Sequence, residues 1–202
     1  MKKLLFFAGL SLLLISCKPA VTENTTVSEV TKEFWSRLQS LQGKTFEGRL
    51  ADTTANDDFS GKNLVMHVLY SDDETILIPF NVGDNLSRTW IFKLNEGRIE
   101  LKHDHRMESG ESDETTMYGG TATNEGKADM QVFPADQETV DMLPGAFSNI
   151  WWITVDSTTF TYNLRRVGTD RLFTVIFDLT KEIEKPAPSW GWENFKIGRA
   201  HV

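Results

Sequence analysis

Apolar residues recur at helical spacing from Val27 through Val30, Phe34 and Leu38 to Leu41 in VSEVTKEFWSRLQSLQG, with polar residues between them. This spacing predicts one amphipathic helix, with Ser28 as N-cap and Gly43 as terminator. Phe34 and Trp35 read as residues that cover a sheet. After Gly43 the period shortens to two, in segments rich in the aromatic and β-branched residues that suit a pleated surface. About ten strands are predicted, near 44–50, 62–70, 75–82, 88–94, 98–107, 115–122, 127–133, 149–156, 159–166 and 170–179. Asn95-Glu96-Gly97 and Asn124-Glu125-Gly126 carry the same three-residue hairpin signal, with glycine placed for positive φ, and Val167-Gly168-Thr169 reads similarly. Neighbouring strands are therefore expected to pair antiparallel. One join is long: PADQETVDMLPGAF, bounded by Pro134 and Pro144 and carrying Val140, Met142 and Leu143, predicts a short helix before strand eight.

An antiparallel meander of this size must curl or split, so the expected fold is mainly β, a closed or nearly closed barrel, with a β-sandwich as the alternative. A helix leading into a meander whose last strand is RLFTVIFDL resembles the calycins, the lipocalin and fatty-acid-binding group. KTFEGRL stands where the lipocalin first strand has Gly-x-Trp. A second resemblance rests on PFNVGDNLSRTW, LKHDHRMESG, TMYGG, VFPAD and FDLT, which together look like a group of uncharacterised exported bacterial proteins.

The segment before the helix has a different character. MKKLLFFAGLSLLLISC opens on two lysines, runs apolar from Leu4 to Ile15 and stops at Cys17, the pattern of a secretory signal too short to span a bilayer comfortably. Leu14, Ile15, Ser16 and Cys17 resemble the lipobox of bacterial lipoproteins. That resemblance implies cleavage before Cys17 and lipid on its sulfur and new amino terminus. The organisation expected is a signal peptide over 1–16, a lipidated cysteine and polar linker over 17–26, and one barrel domain over 27–202. Several acyl chains hold a protein on a membrane durably where one does not. Lys18, in place of the aspartate that retains lipoproteins at the inner membrane of enteric bacteria, points to the outer membrane of the cell envelope.

Cys17 is the only cysteine, so no intramolecular disulfide can form. Loss of Lys2 and Lys3 with the leader takes the formal charge from −8 to about −10. Such a balance excludes nucleic acid as a partner class. The acidity sits in loops, at Asp57, Asp58, Asp72, Asp73, Glu74, Glu111, Asp113 and Glu114, without EF-hand spacing, and reads as solvated surface.

The chemistry that stands out is RIELKHDHRM. With period two, Arg98, Glu100, Lys102, Asp104 and Arg106 share one face, while Ile99, Leu101, His103, His105 and Met107 share the other, which should point into the barrel. His103 and His105 at i and i+2 can reach one metal ion such as zinc, but a stable site needs further ligands. His67, on the face away from Leu64 and Met66, and His201 in the tail are the remaining histidines. Otherwise the pair can anchor a small ligand, or hydrogen-bond neighbours such as Tyr118, Ser109 or Thr116. Arg88 and Trp90 share a face, as do Phe160, Tyr162 and Leu164, and could line an apolar pocket with a cationic rim. The ligand-binding candidates are His103, His105, Arg88, Trp90 and Tyr118.

No Gly-x-Ser-x-Gly elbow, His-Glu-x-x-His helix, phosphate loop or dinucleotide fingerprint appears. His103 and Asp104 face opposite ways on a strand and cannot form one edge of a triad. The sequence thus favours a lipid-anchored envelope protein acting as a small-molecule binding or accessory module. The competing readings are a metal-dependent or hydrolytic enzyme centred on His103 and His105, and a purely structural envelope lipoprotein. The tail KPAPSWGWENFKIGRAHV, with Trp190, Trp192 and Phe195, is too apolar for a free terminus. Docking on the barrel is expected, against the alternative of a stacking platform for a sugar or a partner lipoprotein.

Overall fold

The computed structural model describes residues 26–51 and 58–195. The segments expected as signal peptide and linker up to residue 25, with Cys17, and also Asp57 and the tail from residue 196, with His201, lie outside the described residues. Helix α1 (Glu29–Gln39) is followed by β1 (Thr45–Leu50), β2 (Leu64–His67), β3 (Tyr70–Ser71), β4 (Thr75–Val82), β5 (Asn85–Asn95), β6 (Arg98–His105), β7 (Tyr118–Thr121) and β8 (Met130–Pro134). Then come α2 (Gln137–Met142), a 3-10 turn (Pro144–Ala146), β9 (Asn149–Val155), β10 (Thr159–Arg166) and β11 (Leu172–Glu182).

The strands are antiparallel in the order β7-β6-β5-β4-β2-β1-β11-β10-β9-β8, with β3 on β4. Strand β1 joins the two halves by pairing β2 on one side and β11 on the other. At the seam β7 and β8 meet without a ladder. Asp136 N donates to Gly119 O at 3.0 Å, and the Thr139 hydroxyl both donates to Gly119 O at 2.9 Å and accepts from Gly119 N at 2.6 Å. The result is a nearly closed barrel. The close approach requires a missing side chain, because a Cβ at Gly120 would lie 1.8 Å from Pro134 O.

Three expectations change in detail. The strand expected over 62–70 is divided: Val68 N turns to Lys44 O and Leu69 N to Leu77 O, giving β2 and β3 and eleven strands among the described residues. Asn95 pairs with Arg98, so the β5–β6 hairpin has a two-residue turn, and Glu96 (φ 48) and Gly97 (φ 75) supply the positive angles of a type I′ turn. Asn124-Glu125-Gly126 does not join paired strands. Its Glu125 carbonyl instead accepts from Thr31 Oγ1 on α1 and from Gln131 Nε2, which ties the helix to the barrel.

Helix α1 closes one end. Ser28 caps it by accepting from Thr31 N at 3.3 Å, and Phe34, Trp35 and Leu38 enter the core. Trp35 Nε1 donates to Asp72 O at 3.0 Å, which satisfies the polar atom that burial would otherwise strand. Above the helix the inward positions of β5, β6, β9, β10 and β11 fill the barrel with Phe92, Ile99, Leu101, Ile153, Phe160 and Phe177. Each such side chain contributes roughly 2–3 kcal/mol by leaving water.

The described part of the tail, up to Phe195, docks on the outer wall as expected. Ser189 Oγ donates to Asn81 Oδ1 at 3.0 Å, Trp190 N donates to Leu86 O at 3.1 Å, and Trp192 Nε1 donates to Asp104 Oδ2 at 3.1 Å. The Arg106 guanidinium lies 4.9 Å from the Trp192 ring while its Nε binds Asp104 Oδ2 at 2.8 Å. His67 sits under this strap on the outer face, its Nδ1 2.9 Å from Thr45 Oγ1.

Candidate functional site

The end of the barrel opposite α1 is not filled. A cavity of about 400 Å³ lies there, within the range of small-molecule sites. Its floor is an aromatic stack that crosses the interior: Phe80 on β4 against Trp90 on β5 (4.7 Å between centroids, 18° between planes), then Trp90 against Tyr162 on β10 (4.5 Å, 11°). Residues Leu143–Ala146, after α2 and in the 3-10 turn, cover one side.

This cover is pinned to the wall by a buried lysine. Lys102, on the outer face of β6, places its Nζ 2.8 Å from Asp136 and 2.7 Å from Glu138, while Asp136 also caps α2 by accepting from Thr139 N at 2.8 Å. Burial acts to lower the lysine pKa, but the two carboxylates outweigh it and the net shift is upward.

The period-two reading of β6 places His103 and His105 in the cavity wall and Asp104 on the other face. The strand ends at His105, however, and Met107 is 45 % exposed outside the barrel. His103 is fully engaged: its Nδ1 lies 3.0 Å from Tyr118 O and its Nε2 2.8 Å from Tyr162 Oη. A carbonyl can only accept, so Nδ1 carries the proton, Nε2 is the bare nitrogen, and the Tyr162 hydroxyl donates to it. Burial pushes the His103 pKa down to about 3 and raises that of Tyr162 well above its ordinary value, so both are neutral at pH 7.

His105 is less enclosed. Its Nε2 lies 3.0 Å from Tyr118 Oη, its backbone N donates to Thr116 Oγ1 at 2.8 Å, and its Nδ1 has no hydrogen-bond partner among the described residues. Burial first, then the neighbouring Arg88, lower its pKa to about 4. Burial raises Tyr118 to about 12. Two of the three polar neighbours expected for the histidines are thus in contact; Ser109 instead donates to Glu111 at 3.3 Å. Arg88 lies at the mouth, its Nη1 donating to Asn85 Oδ1 at 2.9 Å and its guanidinium 5.3 Å from the Phe59 ring.

All five ligand candidates, His103, His105, Arg88, Trp90 and Tyr118, therefore line one cavity. As metal ligands the histidines lack company: among the described residues no group of three or more His, Cys, Asp or Glu side chains is placed to hold an ion. Both ring nitrogens of His103 are already used. The sequence reading missed Phe59, Phe80, Trp151, Phe173, Arg166 and Arg171, which reach the cavity from separate strands and loops. For Arg166 a signal existed, since period two carries the face of Phe160, Tyr162 and Leu164 on to it. Comparison with models of protein families, with curated proteins and with solved structures finds no match to the chain.

Proposed function

We propose that the chain is a binding module that takes a small molecule with an apolar body into the open end of its barrel. The observation that carries this is the cavity itself: about 400 Å³ over a floor of stacked Phe80, Trp90 and Tyr162, in a barrel whose other end is densely filled. Aromatic walls with a few convergent polar groups suit binding. The neutral, hydrogen-bonded state of His103 suits a wall better than a proton-transferring centre, which works best with a pKa near the ambient pH.

The leader ending in Leu14, Ile15, Ser16 and Cys17 supports lipid attachment at Cys17 in the bacterial envelope, and Lys18 supports the outer membrane. Anchoring would leave the barrel to capture or hold its ligand beside the membrane.

Binding is tested with the neutral dye N-phenylnaphthylamine, whose fluorescence rises in an apolar site. The full chain should show a saturable signal that Leu164→Trp removes, because Leu164 lines the cavity and the larger ring fills it. A signal equal in the two proteins would sink the proposal. Anchoring is tested separately by mass spectrometry of the amino-terminal peptide and by membrane fractionation of Cys17→Ala, which should release the protein from the membrane.

A further inference from the structure

The mouth of the cavity carries three guanidinium groups: Arg88 on β5, Arg166 at the end of β10 and Arg171 just before β11. None has a carboxylate within ion-pair distance among the described residues. That is unexpected in a chain with 29 acidic against 21 basic residues. Arg88 is held by neutral groups, the Asn85 amide oxygen and the Ser87 hydroxyl, and Arg166 Nε donates to Asn149 Oδ1 at 2.9 Å. The Arg171 side chain has no hydrogen bond among the described residues. Asp58 acts on Arg88 through its field without forming an ion pair.

The register sharpens the point. Leu164 pairs with Phe173 and Arg165 with Leu172, so Arg166 and Arg171 are the next cross-strand positions, and Arg166 N donates to Arg171 O at 3.1 Å. Like charges directly opposite on a sheet destabilise it. Here they sit on the inward face, continuing Tyr162 and Leu164 on one strand and Phe173 on the other. The fields of Arg88 and Arg171 both reach the hydroxyls of Tyr118 and Tyr162, so positive potential converges on the cavity from opposite walls. Below the arginines, His105 has an Nδ1 without a hydrogen-bond partner among the described residues. Such a local conflict, left without compensation among the described residues, is what a bound anion would relieve.

We infer that the ligand is an amphiphilic acid whose apolar body lies on the Phe80–Trp90–Tyr162 floor and whose anionic head is clamped by Arg88, Arg166 and Arg171. This rests on the binding-module reading and adds the chemical class of the ligand. The head requires acceptor oxygens and a full negative charge, as in a carboxylate, sulfonate or phosphate monoester. Guanidinium groups grip these with paired hydrogen bonds. A neutral body of the same shape gains the floor but not the clamp.

The test uses two dyes with one aromatic body, N-phenylnaphthylamine and its sulfonated counterpart anilinonaphthalene sulfonate, titrated into the full chain. Signal that remains in Leu164→Trp is subtracted as binding elsewhere. The sulfonate should bind roughly tenfold or more tightly than the neutral dye, and its advantage should shrink as salt is raised. In Arg171→Gln, and further in Arg88→Gln combined with Arg171→Gln, the ratio of the two affinities should fall towards one, whereas Arg171→Lys should keep most of it. Arg171 is exposed and makes no side-chain hydrogen bond among the described residues, so its variants test the charge without threatening the fold. A ratio near one in the wild type, or one that persists in both glutamine variants, overturns the acid and leaves the cavity reading standing. Absence of any signal sensitive to Leu164→Trp overturns both.

Discussion

Tyr162 Oη donates to His103 Nε2 across 2.8 Å, linking β10 to β6 through the interior. Replacing Tyr162 with Phe removes the partner of the buried His103 Nε2 while keeping the ring on Trp90. Leaving a buried polar group unpaired costs about 1–3 kcal/mol. Tyr162→Phe should therefore lower stability by about 2 kcal/mol in urea denaturation, with the fold intact by circular dichroism. A loss under about 0.5 kcal/mol would contradict a dry, engaged network.

The histidines set the pH response. His103 and His105 have folded pKa values of about 3 and about 4 against 6.5 for the free side chain, and burial with Lys185 nearby lowers His67 as well. Between those folded values and 6.5 the unfolded chain binds more protons, so stability rises with pH through this window and is flat above it. Each histidine contributes a slope of at most about 1.4 kcal/mol per pH unit. Asp72, Asp136, Asp156 and Asp178, all lowered below the usual carboxylate value, add their own loss only at more acid pH. Denaturation midpoints between pH 5 and 7 should fall with acidity, and His105→Gln should flatten the curve.

The seam depends on Gly120. A Cβ there would lie 1.8 Å from Pro134 O, a backbone atom that cannot swing aside. Gly120→Ala should cost about 3 kcal/mol, the upper end of overpacking, and speed amide exchange in β7 and β8. An unchanged melting temperature would mean that the seam is looser than these contacts.

Asp136 and Glu138 both bind Lys102, yet they should differ on substitution. Glu138 has a side chain 69 % exposed, so Glu138→Ala should cost under about 1 kcal/mol. Asp136 is less exposed and also caps α2, so Asp136→Ala should cost about 2 kcal/mol and loosen the cover over the cavity. Thermal melts of the two variants decide the order.

Zinc should not discriminate between wild type and His105→Ala in calorimetric titration. His103 has no free ring nitrogen, and no third ligand joins the pair among the described residues. A site present in the first protein and missing from the second would restore the metal reading.

What the sequence by itself determined is what acts over short range. The period of three to four residues from Val27 to Leu41, the alternation in RIELKHDHRM and TTFTYNLRR, and the Pro-bounded join before β9 all report which face of an element leaves water. Elements and facing follow from them, including His103 and His105 inward and Asp104 outward. Tertiary structure alone decided where distant faces meet. Phe80, Trp90 and Tyr162 stack only because β4, β5 and β10 curve around one axis, and Arg88 approaches Arg166 and Arg171 only because the barrel nearly closes. It also decided which hairpin signal would fail: Asn124-Glu125-Gly126 has good turn chemistry, but Glu125 serves α1 and β7 never pairs with β8. A turn motif reports its own backbone preference, whereas pairing depends on partners far along the chain, and that dependence leaves no local pattern to read.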